Sequence, residues 1–266
     1  MSVPVENRKE IEAAIYNQMY SARQVNADPL LRETLLGASE DYFRARIVEV
    51  CRGKRVLEIG FGDGAPSILA AQVGARVDAI DIAPEAVAFA QESASRAGVS
   101  DRISFSVMDV EKMSFPDASF DVIIDNEVFS SLDLRRAVPE LCRVLKVGGL
   151  LLGKETFGHN PILNLKRKIN MLRGARSKWA VAHVLREEDL GYIGSILEPV
   201  SRRHLHLLVL VLAPLPALGL RRLAAIGAYW AQMLDDRILR IPFLRRQSFK
   251  VVFEFRRGSR STAQVD

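Results

Sequence analysis

Residues 58–65 read EIGFGDGA, with Gly60, Gly62 and Gly64 directly after the apolar residues Val56, Leu57 and Ile59. Glycines at alternate positions leave a backbone without side chains, which lets a ligand approach the main chain closely. Two ligands suit the spacing. Gly60-x-Gly62-x-x-Ala65 fits a dinucleotide fingerprint. Glu58-x-Gly60-x-Gly62-x-Gly64 fits a loop for S-adenosylmethionine (SAM) equally well. Asp81 ends the next β-rich run, 17 residues after Gly64. A carboxylate there accepts from the ribose hydroxyls of either cofactor. Asp109 ends a third such run. It can accept from an adenine amino group, and the Val110 N–H can reach a ring nitrogen. A dehydrogenase has no usual need for an acid at that place.

These residues need elements to position them. Apolar β-rich runs occur at 54–59, 76–82, 103–107 and 120–125, and helical patterns at 65–73, 84–97 and 132–145 separate them. Such alternation predicts a parallel sheet with helices on both faces. Gly148-Gly149 reads as a turn between the third of these helices and a fifth strand at 150–155. Helices are expected at 6–20, about 39–51 and 217–240, and strands at about 199–206 and 248–255. Residues 158–164 (GHNPILN) read as a loop, 165–180 as basic and partly helical, and the polar tail 258–266 as disordered.

Four stretches in order carry a resemblance: VLEIGFGDG (56–64), VDAIDIAPEAV (77–87), MDVEKMSFPDASFDVI (108–123) and RVLKVGGLLL (143–152). Over about 50–156 the chain resembles the class I SAM-dependent methyltransferases, in particular the broad group related to ubiquinone-biosynthesis methyltransferases. The resemblance implies an α/β, Rossmann-like doubly wound sheet of seven strands, the last antiparallel, with N-terminal helices and a C-terminal helical insertion. It divides the chain into a helical cap (1–50), a methyltransferase domain (51–257, with the insertion at about 207–245) and the tail. SAM is then the cofactor. Glu58 orders the glycine loop, Asp81 takes the ribose diol, Ile82 packs on adenine, Asp109 and Val110 read the adenine edge, and Asn126 lies near the methionine part. Tyr16 and Tyr20 sit on a helix that folds over the cofactor in similar enzymes, or simply packs on the sheet.

The reaction implied is an in-line displacement onto an O-, N- or C-nucleophile of a small-molecule or lipophilic acceptor. A hydroxyl acceptor benefits from a base. Many relatives carry a histidine pair after the fourth strand, where this chain has Ser130 and Ser131. His159, after the fifth strand, is therefore the first candidate for base or substrate ligand, and His183 the second. The rival readings are an NAD-dependent dehydrogenase, a non-catalytic SAM-binding module and a nucleic-acid methyltransferase. The last is disfavoured because 125–129 read DNEVF, without the Pro-Pro-aromatic element that holds a flipped base.

Composition sets the remaining bounds. The 266 residues carry a net charge of +5. From 159 to 257 there are 18 Lys/Arg against 7 Asp/Glu. That third of the chain favours an anionic partner, and its helix at 217–240 places apolar residues beside arginines, suiting a peripheral membrane contact or a homodimer. The longest apolar run, 205–220, is 16 residues interrupted by His206, Pro214 and Pro216, too short and broken to span a bilayer. Cys51 and Cys142 cannot form a disulfide framework and lack metal-ligand spacing. No metal is expected, no signal peptide is evident at the N-terminus, and a cytoplasmic protein is the expectation.

Overall fold

The computed structural model describes residues 5–21, 35–174, 176–216 and 218–259. Two helices, α1 (Val5–Ser21) and α2 (Gly37–Cys51), precede the sheet. The alternating part follows as β1 (Arg55–Ile59), α3 (Ala65–Gln72), β2 (Arg76–Asp81), α4 (Pro84–Arg96), β3 (Ile103–Val107), β4 (Phe120–Asn126), α5 (Leu134–Val144) and β5 (Leu145–Thr156). Helices α6 (Pro161–Leu172), α7 (Lys178–Ala182) and α8 (Glu187–Ile196) lead to β6 (Glu198–Leu205). Then come α9 (Arg221–Ile238), α10 (Pro242–Arg245) and β7 (Lys250–Arg256).

The seven strands lie in the order β3-β2-β1-β4-β5-β7-β6. β7 runs antiparallel to both β5 and β6, and the other pairings are parallel. This is the expected Rossmann-like sheet, with its N-terminal helices and C-terminal helical insertion. Alternation along each strand builds two cores. Leu57, Ile59, Ile123 and Phe253 pack with Leu141 of α5 and Leu190 and Ile193 of α8. Val56, Val122, Ile124 and Val252 pack on the other face with Phe43, Ile47, Ala70, Ala86 and Ala90 of α2, α3 and α4. Among the described residues no helix is long and apolar enough to cross a membrane.

Three local expectations change. The Gly148-Gly149 pair is not a turn before β5 but a bulge within it. Phe120 pairs with Leu145 and Val122 with Leu150, so the intervening residues leave the ladder. Gly148, at φ +80°, donates its N–H to the Arg257 carbonyl at 2.7 Å. Residues 158–164 do not form a loop throughout, because α6 begins at Pro161. Asn160 caps it, its Oδ1 accepting from the N–H groups of Ile162 (3.0 Å) and Leu163 (3.3 Å). Helix α8 was not expected. Its first turn holds Glu187, Glu188 and Asp189, and the Asp189 carboxylate accepts from the Arg186 N–H at 2.8 Å. Of the tail, only Gly258 and Ser259 are among the described residues.

Candidate functional site

Parallel strands deliver their C-terminal ends to one edge of the sheet, where open α/β folds gather their ligands. Leaving β1, the chain turns through Gly60, Gly62 and Gly64 at φ +58°, +54° and +75°. Glycine is needed at Gly60 for space as well, since a Cβ there would stand 2.4 Å from the Val128 side chain. At the end of β2, Asp81 accepts from the Gly62 N–H (3.2 Å) and the Ala83 N–H (2.9 Å), tying the loop to the second strand. Burial raises its pKa, and the backbone donors oppose that shift. Glu58 lies behind the loop, fully buried, and accepts from the Ser67 hydroxyl of α3. Burial holds its carboxyl well above the usual range.

A cavity of about 630 Å³ opens in front of the loop. Gly60, Gly62, Asp81, Ile82, Asp109, Val110 and Asn126 all line it. Gly64 and Glu58 do not, and act from behind. The opposite wall comes from α1 and from the segment joining α6 to α7. Lys9 bridges Asp109 and Glu111, and Arg8 pairs with Glu111. Tyr16 Oη lies 3.2 Å from Ser131 Oγ, and that hydroxyl donates to Glu12 Oε2 at 3.1 Å. Ser177 donates to the other Glu12 oxygen. Glu12 is only 4% exposed, and burial pushes the Tyr16 phenol above its ordinary pKa. The side chain of Tyr20 lies outside the described residues.

A second charged group closes the far end of the cavity. Glu127 follows β4 in the left-handed region, at φ +67°. Its carboxylate meets Lys250 Nζ at 2.6 Å and Lys154 Nζ at 4.0 Å. Behind it Glu155, fully buried, accepts from the Phe129 N–H at 2.6 Å, and burial pushes its carboxyl up to about 7.

Neither histidine candidate lines this cavity. His159 Nε2 accepts from the Glu187 N–H at 3.1 Å, and so serves the start of α8. Burial lowers its pKa. His183 stacks on Trp179 with ring centroids 3.7 Å apart and lines a separate cavity of about 280 Å³. The geometry therefore gives neither ring access to a ligand at the glycine loop. The residues that sequence reasoning passed over are Glu12, Lys9, Ser177, Arg176 and Glu127. Lys9 and Glu12 lie on α1, and Arg176 and Ser177 in the segment joining α6 to α7, and neither stretch carries a motif.

The site can be tested for SAM on its own atoms. Asn126 lines the cavity, and its buried Oδ1 has no hydrogen-bond partner, the kind of orphaned acceptor that a cationic amino-acid group would satisfy. Asp81 and Asp109 each keep free lone pairs for ribose and adenine donors. The loop leaves no Cβ at Gly60 or Gly62. The residues present fit the cofactor. Among the described residues no cluster of His, Cys, Asp or Glu could hold a metal ion.

Residues 57–153 match the family model described as a methyltransferase domain. With the sheet order and the loop geometry, that match identifies this stretch as a class I SAM-dependent methyltransferase domain. The chain is 37% identical over 101 residues to the 27-O-demethylrifamycin SV methyltransferase of Amycolatopsis mediterranei, covering 37% of each chain. It is 35% identical over 113 residues to a ubiquinone biosynthesis O-methyltransferase of Xanthomonas axonopodis, covering 42% of this chain and 46% of that one. Matches to these curated relatives thus span less than half of their length. Among solved structures, geranyl diphosphate C-methyltransferase from Streptomyces coelicolor shares the fold, with a TM-score of 0.58 at 18% identity over 84% of this chain and 81% of that one.

Proposed function

We propose that the chain transfers a methyl group from SAM to a small, lipophilic acceptor, with residues 1–50 serving as a cap over the domain at 51–257. The observation that carries this is the cavity in front of the glycine loop. Its one wall holds the glycine loop, Asp81, Asp109, Asn126 and Ser131, and its other wall, on α1, holds Glu12 and Tyr16. The named activities of the relatives, on a rifamycin and in ubiquinone biosynthesis, support an acceptor of that class. Two buried cysteines that are not joined in a disulfide suit a reducing, cytoplasmic setting. A lipophilic acceptor also suits a peripheral membrane contact better than a homodimer.

The cofactor supplies an electrophilic methyl group on sulfur. The protein's part is to align the acceptor in line with it and to exclude water. Asp81 and Asp109 hold the ribose and adenine, and Asn126 Oδ1 takes the ammonium group. Where the acceptor is a hydroxyl, its proton passes to the Glu12 carboxylate, directly or through Ser131. This places the base on α1, and no role is assigned to His159 or His183.

Calorimetry with S-adenosylhomocysteine and with NAD tests the cofactor. Binding of the first alone is expected. Asp81→Asn should weaken it about ten- to a hundredfold, the scale of hydrogen bonds to a charged group. NAD binding, or an unchanged affinity in the variant, overturns the reading. Labelled SAM incubated with lipid and aqueous extracts of the host then identifies the acceptor.

A further inference from the structure

Helix α6 turns an apolar stripe to water. Ile162, Leu165, Ile169 and Leu172 recur at helical spacing and share one face. They are 78%, 61%, 40% and 81% exposed. On a domain surface such a stripe ordinarily faces the core. Here the inward position belongs to Arg167, which is buried and donates to Asn164 Oδ1 (2.6 Å) and the Phe157 carbonyl (3.0 Å). Exposed Lys166, Lys168 and Arg173 border the stripe. From 156 to 186 the sequence holds 7 Lys/Arg and no Asp or Glu.

An apolar face edged by cations, with no carboxylate near it in sequence, is complementary to an anionic bilayer surface, where the apolar side chains enter the acyl boundary and the cations meet headgroups. A second copy of this chain is a poorer cover. A two-fold contact would bring the same cations against one another. Position adds to charge. Asn170 of α6 lines the large cavity, as do Arg176, Ser177 and Ala180 just beyond it. By contrast α9, whose Leu223, Ile226 and Trp230 are also exposed, carries the exposed carboxylate Asp236, and none of its residues lines the cavity.

We propose that α6 docks this chain on anionic membrane surfaces and seats the cavity beside the bilayer, so that the acceptor enters from the lipid. This rests on the reading of a lipophilic acceptor and names where it is collected.

Co-sedimentation of the full chain with phosphatidylcholine vesicles, with and without phosphatidylglycerol, at low and high salt, tests it. Binding to the anionic vesicles alone, weakened by salt, is expected. Lys166→Gln with Lys168→Gln should weaken binding about thirtyfold, and Leu165→Glu with Leu172→Glu should abolish it, while Leu223→Glu in α9 leaves it intact. Wild-type protein that ignores lipid charge overturns the proposal whatever the variants do. So does a dimer, seen by analytical ultracentrifugation, that the Leu165→Glu, Leu172→Glu variant dissociates. Calorimetry with S-adenosylhomocysteine on the same samples separates the two readings. Intact cofactor binding without vesicle binding removes the docking helix alone. Vesicle binding without cofactor binding removes the methyltransferase reading and keeps the docking surface.

Discussion

Glu12 and Ser131 are 119 residues apart in sequence and meet at 3.1 Å. Lys9 reaches Asp109 across a separation of 100. Such contacts explain which part of the site was legible. The glycine loop and the carboxylates Asp81 and Asp109 sit at strand ends, where spacing along the chain reports position directly. The wall from α1 is set by tertiary packing, and no local pattern in ENRKEIEAAIYNQMY announces it. Spacing along the chain accordingly points to histidines near the right strand for a base, whereas the base proposed above, Glu12, carries no such signal. Glu12→Gln keeps the shape and removes the charge, with one of the two serine hydroxyls turning to accept from the new amide. With a hydroxyl acceptor it is expected to lower kcat by roughly a hundredfold or more, the scale of general-base catalysis, leaving S-adenosylhomocysteine affinity unchanged by calorimetry. His206 makes a separate case. It is buried at φ +64°, and neither ring nitrogen has a partner among the described residues. Burial lowers its pKa to about 4 from 6.5. The unfolded chain takes up the proton as pH falls through the ordinary histidine value, and the folded chain does so only near 4, so acid erodes stability inside that window. Asn tolerates a positive φ. His206→Asn should therefore flatten the dependence of the urea midpoint on pH between about 6.5 and 4.

Elements were legible where hydrophobic period and strand chemistry agreed. The four parallel strands before β5 fell within a residue or two of expectation, because short apolar runs rich in β-branched residues, bounded by glycine or polar turn residues, mark them. Helices α6 and α8 were obscured for the opposite reason. Their apolar periodicity is short, and their signals are caps. Asn160-Pro161 opens α6, and the run of three acids opens α8. Read as capping chemistry, Asn-Pro starts a helix, and read as composition it marks a loop. At β5 the fifth strand depends on one missing side chain. A Cβ at Gly153 would stand 2.1 Å from the buried ring of Phe253 on β7. Gly153→Ala is expected to cost about 1–3 kcal/mol through overpacking, seen as a lower urea midpoint with an unchanged m-value. Wild-type stability in the variant would mean that the β5–β7 contact relaxes freely.

Across the whole molecule, α1 spans the cavity and is tied to the opposite wall through Arg8, Lys9, Glu12 and Tyr16. A ligand in the cavity must leave before that helix can lift. Saturating S-adenosylhomocysteine should therefore slow tryptic cleavage at Arg8 and Lys9, by a factor that grows with ligand concentration as binding to the folded form alone requires. Equal cleavage rates with and without ligand would separate α1 from the cofactor site. The other wall has a consequence in time. β7 lies between β5 and β6, yet it is the last strand to be synthesised, and it brings Lys250 to Glu127. On the ribosome, β1 to β5 emerge with one edge of β5 bare and Lys250 not yet in place beside Glu127. The nascent chain holds the cofactor loop long before it holds a finished pocket. Cofactor thus cannot brace the folding intermediate through this end of the site, and until residue 256 clears the exit tunnel the exposed edge of β5 is where a chaperone, or a neighbouring nascent chain, would pair.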